Sequence, residues 1–139
     1  MSRKTARRYT FEIVFQIPFH LDFDALSAFD IYPEDNLPKI NESERNYVKE
    51  TITGVCKHLD IIDSRIEASS KDWSLARMNR VDLAVLRLAV YEIIYTDTPP
   101  GISINEAVEL AKLYSGEESG SFVNGILANI SKHPEVWHG

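Results

Sequence analysis

Apolar side chains recur every three or four positions along most of the chain, and no stretch alternates for long enough to make a strand. Ala6, Tyr9, Phe11, Val14, Phe15 and Ile17 predict a first helix from about Thr5 to Ile17, ended by Pro18. A short helix is expected at Phe23–Phe29, before a polar loop containing Pro33 and Pro38. Asn41-Glu42-Ser43-Glu44 has the form of a capping box: Asn41 can accept from exposed backbone N–H groups while Glu44 reaches back. Tyr47, Val48, Ile52, Val55 and Leu59 would line the buried stripe that follows. Gly54 and His58 weaken that helix and Asp60 is a second start, so the pattern allows one helix or two through Ile66.

The segment Ala68–Ser74 is small and polar, with Trp73 as its anchor, and reads as a boundary between bundles. Arg80–Tyr95 is the most apolar stretch: Val81, Leu83, Val85, Leu86, Leu88, Val90, Ile93 and Ile94 point nearly all round a helix, which belongs at a bundle centre. Pro99-Pro100-Gly101 is expected to stop it in a rigid turn, and Ser103-Ile104-Asn105-Glu106 resembles a second capping box. Ala107, Val108, Leu110, Ala111 and Tyr114 form the next apolar face, Gly116 suits a helix end, and a last helix from about Ser119 to Ile130 precedes Pro134. About seven helices joined by short loops predict an all-α fold of two packed three-helix bundles.

Length and composition narrow the class. At 139 residues, 44% of them hydrophobic and 26% charged, the chain is expected to bury one substantial core. No apolar run is long enough to span a membrane, and Glu12, Gln16 and Pro18 interrupt the N-terminal apolar stretch as no signal peptide would. One cysteine, Cys56, makes no internal disulfide, which suits a cytoplasmic protein. The net charge of −6 argues against a nucleic-acid partner until its distribution is considered. Arg3, Lys4, Arg7 and Arg8 stand in the first eight residues with no acid among them, leaving 11 basic and 21 acidic side chains for the rest. A basic arm on an acidic body can hold phosphate locally while the body resists polyanions in general. The alternative is an exposed, solubilising N-terminus.

Three segments make the chain resemble the NusB family of bacterial transcription antitermination factors. They are SRKTAR followed by Phe15-Gln16-Ile17, VDLAVLRLAVYEI from Val81 to Ile93, and INEAVELAKLYSGEESGSFVNGIL from Ile104 to Leu127. The last is the most specific, and only Asp30–Lys39 departs clearly. The resemblance implies a single NusB-like RNA-binding domain over 1–139, with sub-bundles of about 1–70 and 71–139. It implies binding to single-stranded boxA RNA in ribosomal RNA leader transcripts together with NusE, a small-subunit ribosomal protein. Other Nus factors and RNA polymerase complete the assembly that escapes premature termination. Some members form homodimers, a state open to this chain too.

On this resemblance Arg3, Lys4, Arg7 and Arg8 would supply phosphate contacts, which bring affinity but little sequence information. Like charges at i,i+4 repel, so the arm is expected to be frayed until RNA orders it. Phe15 and Phe122 match aromatic family positions that resemble a stacking platform, although phenylalanine at helical spacing is ordinarily core and the residues alone leave both open. Gln16 is placed to read a base edge or to face solvent. Glu118 matches a position beside the RNA, where a carboxylate opposes phosphate; it equally suits the positive end of a helix. Asp82 resembles a family acid facing the basic partner NusE, and Glu92 either shares that surface or, as the favoured reading, pairs internally with Arg87. Asn105, Glu106 and Asn124 read as structural, making helix-end hydrogen bonds and contacts between bundles.

No catalytic, cofactor or metal motif accompanies these residues. His20, His58, His133 and His138 lack ligand spacing, the glycines are too scattered to cradle phosphate, and neither HExxH nor GxSxG occurs. Ribosomal RNA cytosine methyltransferases carry a NusB-like N-terminal domain, but their catalytic cysteine and α/β domain have no counterpart in this sequence. The expectation is therefore a non-enzymatic RNA-binding protein without cofactor, metal or membrane association, whose four cations bind weakly unless NusE assists.

Overall fold

The computed structural model describes residues 3–16, 41–70 and 74–132, and every regular element among them is helical. The helices are α1 (Arg3–Val14), α2 (Glu42–Lys57), α3 (Leu59–Ser70), α4 (Arg80–Tyr95), α5 (Pro100–Ser115) and α6 (Glu117–Ser131), with a 3-10 turn at Leu75–Arg77. The helix expected at Phe23–Phe29, the anchor Trp73 and the stop at Pro134 lie outside the described residues.

The asparagine cap of α2 forms as its sequence predicts. Asn41 Oδ1 accepts from the Glu44 N–H at 2.8 Å, and Glu44 Oε1 accepts from the Asn41 N–H at 2.8 Å. What the pattern left open is resolved as two helices: α2 ends at Lys57, His58 donates its backbone N–H to the Gly54 carbonyl, and α3 begins at Leu59. Gly54 has a reason of its own. A Cβ there would lie 2.2 Å from the Tyr91 ring, so its absence lets α4 lay that ring against α2.

Two start signals around α5 are corrected. Pro100 does not merely stop α4, which has already ended at Tyr95; it is the first residue of α5, where the missing N–H has no intrahelical bond to make. Ser103 is therefore inside the helix and caps nothing. It is buried, and its hydroxyl donates to Glu92 Oε1 on α4 at 3.0 Å. Gly116, at φ 101° and ψ −177°, ends α5 and starts α6 in one residue, using backbone that essentially only glycine adopts.

Helix α4 is the axis of the fold, buried continuously from Asp82 to Val90. The larger core joins it to Phe11 and Val14 of α1, Val55 of α2, Leu59, Ile62 and Ile66 of α3, and the inner faces of α5 and α6. A smaller core of Ala6, Tyr9, Ile13, Val48 and Ile52 is shared by α1 and α2. Each fully buried Leu, Ile or Val contributes about 1.5–3 kcal/mol relative to exposure, so α1 is fixed along most of its length by its two apolar sides.

Candidate nucleic-acid interface

The basic segment is not a frayed arm: α1 is helical from Arg3 onward. Its cations do different things. Lys4 and Arg8 are exposed, whereas Arg7 is only 8% exposed and turns inward. Its guanidinium donates to both oxygens of Glu92, at 3.0 Å from Nε and 2.9 Å from Nη2, with Glu106 at 3.7 Å on its other side. Burial works against the charge of Arg7, but the hydrogen bonds and the negative charge of Glu92 outweigh it and hold the pKa above the ordinary value. Pairing Arg7 with Glu92 relieves only the Arg3–Arg7 repulsion; the exposed Lys4–Arg8 pair remains, and packing of the apolar sides holds the helix against it.

Glu92 is the hub of a buried polar cluster. Besides Arg7 it accepts from the Tyr47 hydroxyl at 2.5 Å and from Ser103 at 3.0 Å, tying α1, α2, α4 and α5 together. Its expected partner, Arg87, instead makes a bidentate pair with Asp63 on α3, both bonds at 2.9 Å. Five residues advance a helix by about 500°, which puts Arg87 and Glu92 on different sides of α4. Glu106 reaches Arg7, in keeping with a structural role, but Asn105 and Asn124 are exposed and at neither helix end.

Lys4 and Arg8 line a groove between α1 and α5 with Arg7, Glu106, Glu109, Leu110 and Leu113. One turn further on, Phe11 lies under Tyr114 of α5, with ring centroids 4.7 Å apart, and the Tyr114 hydroxyl is 3.3 Å from Glu12. Phe15 follows at 6.1 Å from Phe11, and Arg80, the first residue of α4, places its guanidinium carbon 5.0 Å from the Phe15 centroid. Phe15 is half-buried, packed on the larger core with the Arg80 guanidinium over its ring. Gln16 is exposed, and its side-chain amide donates to the Glu12 carbonyl at 3.3 Å.

The remaining candidates gather at the start of α6. Glu118 is exposed in its first turn, and Phe122 is half-buried against the same large core that holds Phe15. Asp82 is buried in the first turn of α4 and takes a hydrogen bond from Ser119, the neighbour of Glu118. Its Oδ1 has no hydrogen-bond partner. Burial pushes this carboxyl above the ordinary aspartate range, and the Ser119 bond offsets that only in part. Asp82 therefore points to the seam between α4 and α6 rather than outward. Sequence reasoning did not single out Tyr47, Arg80, Ser103 or Tyr114 for these positions. Their partners are distant along the chain, so no local pattern marks them.

Comparison with known proteins places these features in context. The NusB family model matches residues 4–132. The chain is 43% identical to the transcription antitermination protein NusB of Acetivibrio thermocellus over 133 residues, covering 95% of this chain and 90% of that protein. It is 40% identical to the protein of the same name from Agathobacter rectalis, covering 94% and 100%. Among solved structures, T. maritima NusB superposes with a TM-score of 0.83 at 35% identity, over 99% of this chain and 97% of that one. A crystal structure of the antitermination factors NusB and NusE in complex with dsRNA gives 0.80 at 30% identity, over 94% and 96%.

Proposed function

The chain belongs to the NusB family, and from that premise we propose that it is a transcription antitermination factor that binds boxA RNA of ribosomal RNA leader transcripts together with NusE. It does no chemistry on the RNA: it joins the transcript to other Nus factors and RNA polymerase so that premature termination is escaped. It works in the cytoplasm; no helix among the described residues is long and apolar enough to cross a membrane. The chain is one RNA-binding domain, with sub-bundles meeting near residue 70.

The observation that carries this reading is the division of labour on α1. Arg7 is spent on the buried Glu92, which fixes the helix, while Lys4 and Arg8 remain outward and Phe15 stays half-buried. Lys4, Arg8, Phe11 and Phe15 fall within about 60° of one another around the helix, so charge and aromatic surface share one stripe. Arg3, Lys4 and Arg8 take phosphates while Phe15 and Phe122 stack bases, each stacked base contributing about 1–3 kcal/mol. Gln16 reaches a base edge, and Glu118 opposes phosphate and keeps affinity moderate. Asp82, buried at the seam beside α6, favours the basic partner through its negative charge rather than through a direct bond.

The test is a titration of boxA-containing and scrambled RNA, with and without NusE, at two salt concentrations. Selective binding that the partner strengthens and salt weakens is expected. Absence of RNA binding in both arms would make the chain a plain helical interaction module.

A further inference from the structure

We propose that Arg80 is an additional RNA contact, whose guanidinium covers Phe15 in the free protein and moves to a phosphate when a base takes its place. This rests on the RNA-binding reading above and extends its surface from α1 onto α4.

Arg80 is exposed, and among the described residues it makes no ion pair. Its guanidinium lies over the Phe15 ring, 5.0 Å from the centroid. That placement has two physical oddities. Arg80 stands at the N-terminus of α4, where the helix dipole is positive and a cation is disfavoured. The nearest acid along the chain, Asp82, does not answer it, because Asp82 is buried toward Ser119. An arginine held against its own helix dipole, with no ion pair among the described residues, has a charge to offer an anion.

The ring beneath it is firmly supported. Tyr114, Phe11, Phe15 and Arg80 form a ladder with successive separations of 4.7, 6.1 and 5.0 Å, crossing from α5 over α1 to α4. Lys4 and Arg8 lie toward the other end of the same α1 stripe, about 16 and about 10 Å from Phe15 along the helix. Around Lys4 and Arg8 the groove also holds Glu106 and Glu109, which oppose phosphate. At the Phe15 end, by contrast, Arg80 makes no ion pair among the described residues. A single strand laid along the stripe thus meets cations at both ends and an aromatic ring before the second. A base and a guanidinium both stack on aromatic faces, so exchanging one for the other on Phe15 leaves the ring covered and delivers the charge to the backbone.

The experiment measures boxA RNA affinity of the full chain with NusE across several salt concentrations for the parent, R80A and R80K. Removing one charge-assisted phosphate contact is expected to weaken binding about ten-fold. It should also reduce the slope of log affinity against log salt by about 0.7, the value for one phosphate of a single strand. R80K keeps the charge and should keep the slope. An R80A slope equal to the parent's, at any affinity, overturns the proposal while leaving the RNA-binding reading intact. A parent that shows no selective binding defeats that reading, and this inference with it. Thermal melts of both variants should match the parent, because Arg80 is exposed and outside the core.

Discussion

Arg7 and Arg8 are adjacent and chemically identical, yet burial gives them different work. Arg7 neutralises a carboxylate that four helices share, and Arg8 faces water. Removing one member of a buried, hydrogen-bonded pair costs about 3–5 kcal/mol, so R7A should lower the melting temperature markedly. R8A should leave melting unchanged and cut the salt slope of RNA binding by about 0.7. Equal melting of the two variants would contradict this division. Asp82 gives a second contrast. Its pKa in the folded chain lies above the ordinary 3.8, so the native state holds the proton more tightly than the unfolded state does. Stability contributed here falls as pH rises from about 3.8 through the raised value, and the penalty is complete above it. D82N removes the ionised form; it should unfold at higher urea than the parent at neutral pH, with the advantage vanishing toward pH 3.8 and below. A pH-independent difference would show that burial of the charge is not the cause.

At the scale of helices, the glycines separate propensity from packing. Replacing glycine by alanine inside a helix favours the helix by about 1 kcal/mol. Gly125 is exposed in α6 with open space around it, so G125A should raise the melting temperature. G54A should lower it despite the same propensity gain, because the added carbon meets the Tyr91 ring. The elements most legible beforehand were those decided by local pattern. The apolar residues of α4 leave no polar face large enough for solvent, and Asn41 caps through a residue three positions away. The misreadings came from tertiary contacts. Ser103 and Glu106 have capping-box spacing, but Ser103 serves Glu92 and Glu106 sits near Arg7, neither of which is a local partner. Likewise nothing near Arg7 distinguished it from Arg8, since Glu92 is 85 residues away.

For the whole molecule, the question is how an acidic protein holds RNA in one place only. The arrangement answers it by setting Lys4 and Arg8 along α1 and Arg80 at the start of α4 beside the half-buried Phe15, whereas exposed cations elsewhere, such as Lys49, Lys57 and Lys132, stand on a chain whose acids outnumber its bases. The family resemblance supplied Phe15 and Phe122 as candidates; the fold adds that both sit half-buried on one core, each able to offer a ring without surrendering its packing. The most direct test is photo-crosslinking of boxA RNA carrying photoreactive uridines to the chain bound with NusE, with crosslinked peptides mapped by mass spectrometry. Crosslinks should concentrate in residues 3–16 and 117–124. Crosslinks confined to α2 and α3, with neither of those segments labelled, would contradict the account.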